Sequence, residues 1–219
     1  NDQHETMLRD QVESLSRELD ESAHGLLDDY PGQCYPVDIL PAIAAIQRAD
    51  AVLGTDHSQF VQRAVRAFQG DVLDKNTGLP SYIADSRTGQ GFGPARGAGI
   101  SFMLINAPEL WLDTSQKWYD NYDNYFWQQT WVTAGFREFS RDLDYGTWSG
   151  DVDSGPILAG YGTAASAFGV GAARTFGRFD QAYPLSVEAL SASWPLPNGT
   201  RLGPRMLSNL SDAPYVGEA

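Results

Sequence analysis

Four charged residues recur at a near-constant spacing along the chain: Asp38, Arg96, Asp153 and Asp212 follow one another at 58, 57 and 59 residues. Each stands at or near the head of a stretch where a helix would begin. A carboxylate there is stabilised as the anion by the partial positive charge of the unpaired amides. One reading makes the four a ring of groups around a substrate. The plainer reading makes each Asp a separate cap turned back on its own backbone, since Asp is among the preferred N-cap residues. Arg96 fits no capping role and points to a ligand or an ion pair. Asp151 lies two residues before Asp153, so in an extended loop one can cap while the other enters a cleft. If two carboxylates meet, their repulsion raises one pKa and sets an acid beside a base. That pairing suits cleavage of a glycosidic bond.

Further candidates stand around these four. Cys34 becomes a proton donor or nucleophile if a positive helix end or Arg96 lowers its pKa, although a lone cysteine is more often a small core residue. Glu138, beside Arg137, is a further acid, with a surface ion pair as its plain alternative. Tyr35, Tyr82, Tyr145 and Tyr161 can donate hydrogen bonds, or can be core rings with a wet hydroxyl. Trp148 and Trp194 fall in loops and suit the apolar face of a sugar, whereas Trp111, Trp118, Trp127 and Trp131 mostly match helix packing. His4, His24 and His57 assemble no convincing Ser/His/Asp triad. No CxxC or HxxxH spacing offers a zinc site, and the oxygen-rich run of a calcium loop is absent. The expectation is chemistry without a metal or cofactor.

The elements that must position these residues read as helices. Thr6 to Leu27 has the spacing of an amphipathic helix, stopped by Gly25 and the Asp28 to Gly32 run. A nearly all-apolar helix begins at Asp38, with Asp38 as N-cap and Pro41 in the first turn. Ser58 to Phe68 is its more polar partner. Arg96-Gly97 opens the apolar run Ile100 to Ile105, interrupted at Asn106-Ala107-Pro108, and Asp113 to Trp127 follows as a polar aromatic helix. Asp153 to Pro156 opens Ile157 to Ala173, with Leu185 to Ala192 as the last partner. Self-similarity at a fixed period signals stacked supersecondary units. The predicted fold is all-α: an α/α toroid or open arc of helical hairpins, with a repeat of about 58 residues and long loops at one mouth. Residues 1–219 form one domain. A fourth inner helix at Asp212 would need residues beyond Ala219, so the array reads as incomplete, or as completed by another copy in a homo-oligomer.

Composition narrows the partners. Twenty-eight acidic and 15 basic residues give a net charge of −13, with 42 % hydrophobic and 12 % aromatic residues, ample for a core. Such a balance disfavours nucleic acid, which needs clustered Lys and Arg, and anionic membrane surfaces. No apolar run reaches the length of a membrane span.

The segments Cys34-Tyr35-Pro36-Val37-Asp38, Gly135-Phe136-Arg137-Glu138 and Asp151 to Pro156 resemble the α/α-toroid superfamily of six-hairpin glycosidases and uronate-type lyases. Within it they are most similar to uncharacterised bacterial proteins on the linalool dehydratase/isomerase side. The resemblance implies a cleft among the loops at the inner-helix N-termini. In the linalool enzyme two cysteines and a histidine serve acid–base work; here Cys34 has no second cysteine to follow it. The leading expectation is acid–base action on a small hydroxyl-rich, carbohydrate-like substrate. Asp38 and Asp153 are its acid and base, Asp151 and Arg96 tune and position, and Trp148 and Trp194 wall the site. One alternative is a lyase or isomerase acting on an alcohol through Cys34 and Tyr35. Another is a non-catalytic helical-repeat module that binds a protein.

Overall fold

The computed structural model describes residues 2–143, 148–151, 154–192, 194–195, 201–202 and 216–217. Helix α1 (Asp2–Glu21) turns Val12 and Leu19 inward and leaves its charged residues in water. Helix α2 (Pro36–Leu53) starts earlier than the sequence predicts. Pro36 lacks an amide that the first turn would leave unpaired, and it holds Tyr35 in the extended conformation that precedes proline. Tyr35 is therefore the N-cap, without a side-chain cap bond of its own, and Asp38 lies within the first turn. Gly54, in the left-handed conformation, ends it through a bond to the Asp50 carbonyl.

Helix α3 (Val61–Phe68) leads into a hairpin of β1 (Ile83–Ala84) and β2 (Gly91–Phe92). Helix α4 (Gly97–Leu110) has Arg96 as its N-cap residue, in extended conformation. It runs through Asn106-Ala107-Pro108, where the sequence predicts an interruption. Pro108 falls in the last turn, and α5 (Leu112–Phe126) begins after Trp111 alone. Strands β3 (Trp127–Gln129) and β4 (Ala134–Phe136) form the next hairpin. Beyond it, β5 (Trp148–Asp151), β6 (Gly155–Leu158) and β7 (Tyr161–Gly162) make an antiparallel sheet in that order. Helix α6 (Thr163–Thr175) and helix α7 (Phe179–Ala192) follow, then β8 (Trp194–Pro195), β9 (Arg201–Leu202) and β10 (Val216–Gly217).

The expectation of an all-α toroid or open arc is corrected by these strands. The long loops are built from small antiparallel sheets, and the chain is mixed helix and sheet. The clearest departure is at Ile157, expected to lie in a helix. Left-handed residues at Ala159 and Gly160 instead reverse the chain between β6 and β7, the backbone a two-residue hairpin requires. Helix α6 starts only at Thr163.

Helices α2, α4 and α6 pack side by side in chain order, with α4 against both of the others. Helix α1 packs on α2, α5 on α4 and α7 on α6. Close packing at the head of α4 depends on Gly97, where a Cβ would collide with the Arg137 carbonyl and touch Ala165. Most of the buried apolar residues from Val12 to Leu185 form one contiguous core. Among the described residues, no helix is long and apolar enough to cross a membrane.

Candidate functional site

The leading ends of α2, α4 and α6 are joined by a line of contacts. Cys34 and Ala84 exchange backbone hydrogen bonds, at 3.3 and 2.8 Å, which draws the β1 segment against the head of α2. Tyr82 then meets Tyr35 edge-on at 5.4 Å between ring centroids, and Tyr30 meets Tyr35 at 6.0 Å. The Arg96 guanidinium lies 4.8 Å from the centre of the Tyr82 ring and 4.7 Å from that of Phe139. Such contacts hold a cation over aromatic rings. Its Nε donates to Glu138 Oε1 at 2.7 Å, and its Nη2 donates to the Ser154 hydroxyl at 3.0 Å. Ser154 is the residue after Asp153 in the sequence.

Glu138 is engaged from several sides. Its Oε2 accepts the Ala98 amide at 3.1 Å, and its backbone carbonyl accepts the Gly97 amide at 2.8 Å. Glu138 therefore answers two orphan amides in the first turn of α4, one with its carboxylate and one with its backbone carbonyl. The side chain is 1 % exposed and that of Arg96 11 %. Enclosure at this level makes the pair a brace, not an accessible acid.

The head of α2 has a different electrostatic character. Asp29 Oδ2 accepts the Tyr35 amide at 2.6 Å. Desolvation raises its carboxyl above the ordinary value, and the nearby charges of Asp38 and Asp28 act in the same direction. As a residue Asp29 stays exposed, so the carboxyl is open to a ligand. Cys34 is fully buried, and that burial, followed by the charges of Asp29 and Asp28, pushes its thiol up to about 12. A neutral, enclosed thiol results. Tyr35 donates its hydroxyl to Gln33 Oε1 at 3.0 Å.

Of the residues the sequence singles out, Cys34, Tyr35, Asp38, Tyr82, Arg96 and Glu138 come together here. Tyr161 does not join them: its hydroxyl donates to the Thr133 carbonyl at 3.5 Å, and its ring packs on Gly135. Trp148 is 73 % exposed, on β5 opposite Leu158. Asp151 and Trp194 belong to β5 and β8, where only their backbone is described. Asp153, Asp212 and Tyr145 lie outside the described residues. Asp29 and Tyr30 were missed, because the run from Asp28 to Gly32 reads as a helix stop. Two adjacent carboxylates just ahead of a Cys-Tyr-Pro sequence were the available signal.

Among the described residues, no group of three or more His, Cys, Asp or Glu is placed to hold a metal ion. No family model matches the chain, and no curated protein matches it.

Proposed function

We propose that this chain is an acid–base enzyme acting on a small hydroxyl-rich substrate at the shared leading end of α2, α4 and α6. One observation carries the reading. An unbroken row of contacts runs from an accessible carboxyl with a raised pKa, Asp29, through Tyr35, Tyr82 and Arg96 to Ser154. A raised carboxyl retains its proton nearer to neutrality and can deliver it to a leaving oxygen. Asp38, in the first turn of α2, has the helix end to favour its anionic form and serves as the base. The tyrosines offer ring faces and hydroxyls to a sugar or polyol. Arg96 and Glu138 are positioning residues that lock the head of α4 to the segment carrying Ser154. The alternative chemistry through Cys34 draws no support from an enclosed thiol.

The test is incubation of the full chain with a panel of glycosides and polyol ethers, with products resolved by chromatography. Asp29→Asn should lower the rate by at least about a hundredfold, the smaller end of what general acid catalysis contributes. Its circular dichroism should match that of the parent. Absence of product across the panel, or a full rate in the Asn variant, overturns the reading.

A further inference from the structure

A separate cleft of about 630 Å³ opens between the segment 71–76 and the segment 88–94. That volume is within the usual range for small-molecule sites. We infer that this cleft is a second binding site, for a neutral hydroxyl-rich molecule of mono- or disaccharide size.

The walls are firmly tied. Gly91 donates its amide to the Asp71 carbonyl at 2.7 Å, and Ser81 donates its own to the Val72 carbonyl at 2.9 Å. A Cβ at Gly91 would overlap the Val72 carbonyl and the Ser81 hydroxyl, so the two lips meet at closest approach there. Asp74, 7 % exposed, forms the brace beneath. It accepts the amides of Asn76 at 3.0 Å and Ala95 at 3.3 Å, and the Thr77 hydroxyl at 2.8 Å. A frame held in this way gives a ligand a site with little ordering cost.

The lining states the ligand's chemistry. Asp71, Lys75, Asn76, Ser81 and Gln90 all face the cleft. Among the described residues no protein group engages their polar side-chain ends, although Ser81 is 3 % exposed as a residue. Together they provide a carboxylate, two amides, a hydroxyl and an ammonium. Sugar hydroxyls both donate and accept, so this mixed set matches them. A single Lys in a chain of net charge −13 is a poor trap for an anion. With the Asp74 oxygens already occupied, Asp71 alone makes a poor cation site. Among the described residues no aromatic ring lines the cleft, so the recognition inferred here rests on hydrogen bonds. The inference does not depend on the acid–base reading, because none of the residues from Asp29 to Ser154 in that row lines this cleft.

The experiment is calorimetric titration of the full chain with glucose, galactose, maltose, cellobiose and trehalose. Glucuronate and inorganic phosphate serve as charged probes. At least one neutral sugar should bind, and Asn76→Ala and Gln90→Ala should each weaken it tenfold or more. Asp29→Asn and Tyr35→Phe should leave that affinity unchanged, which separates this site from the other. Both cleft positions are exposed, so circular dichroism should show every variant folded. Binding of the charged probes alone overturns the inference. So does an absence of neutral-sugar binding, or a loss caused by Asp29→Asn and not by the cleft variants.

Discussion

The heads of α2 and α4, with Tyr35 and Arg96 as their N-cap residues, treat charge in opposite ways. At α4 the cation Arg96 is sandwiched between rings and paired with Glu138, and both are withdrawn from water. At α2 the exposed residue Asp29 has its carboxyl pushed toward protonation by desolvation and then by the charges of Asp38 and Asp28, with the buried Cys34 thiol nearby. A compensated, enclosed charge holds structure. A partly desolvated carboxyl among like charges is available for proton transfer. Two helix heads joined by one row of contacts therefore hold charge differently: that of α4 is enclosed and compensated, and that of α2 is left exposed.

The contrast can be broken most forcefully at Arg96. Replacing it by Met leaves Glu138 as a buried charge without its cation, which costs about 3–5 kcal/mol. The double variant Arg96→Met/Glu138→Gln should recover at least half of that loss in urea unfolding, because Gln can still accept the Ala98 amide. A small effect of the single change would remove the brace from α4. Cys34 probes the other side. With its thiol pushed up to about 12, alkylation by iodoacetamide at neutral pH should run about a thousandfold slower than for an ordinary thiol. Unfolding in urea should restore the ordinary rate, and rapid labelling of the folded chain would contradict the enclosure.

Asp29→Asn sharpens the comparison through pH. A carboxyl whose folded pKa is raised binds its proton more tightly folded than unfolded, so stability falls as pH rises from the unfolded value through the folded one. The Asn variant lacks that decline, and its Tm at pH 7 should exceed the parent's even as activity drops. An unchanged Tm profile between pH 3 and 7 would mean that the desolvation is not felt. The smallest effect belongs to Arg178, which bonds Asp123 at 2.7 Å and Asp180 at 3.1 Å but remains 35 % exposed. Arg178→Ala should cost about 1 kcal/mol or less, and less again in high salt. A loss as large as that at Arg96 would show that exposure does not separate the two kinds of ion pair.

Each of the seven described helices overlaps a stretch that the sequence reads as helical, but ends are displaced by up to six residues and α4 runs through the predicted interruption at Asn106-Ala107-Pro108. Periodicity is a local property, so it survives in any tertiary setting. Boundaries moved where a neighbour intervened. Pro36 started α2 early, and the turn at Ala159-Gly160 delayed α6. The strands were not legible. β1 pairs with β2 through just two residues on each side, too short for alternation to register. Within the site, Arg96 was readable as a cation at a helix head that capping could not explain. The capping part of Glu138 was not, because it serves a helix 40 residues earlier in the chain.

What this chain carried in its order of residues is the rhythm of helix and loop, the acidic balance, and the set of side chains able to move a proton. Those properties depend on composition and near neighbours. Which of those side chains is enclosed and which is left open was decided by packing among segments far apart in sequence. Arg96 and Glu138 lose water together because Tyr82 and Phe139 close over the guanidinium, while Asp29 keeps one side free. Desolvation is a property of the assembled surroundings, and no stretch of sequence contains it.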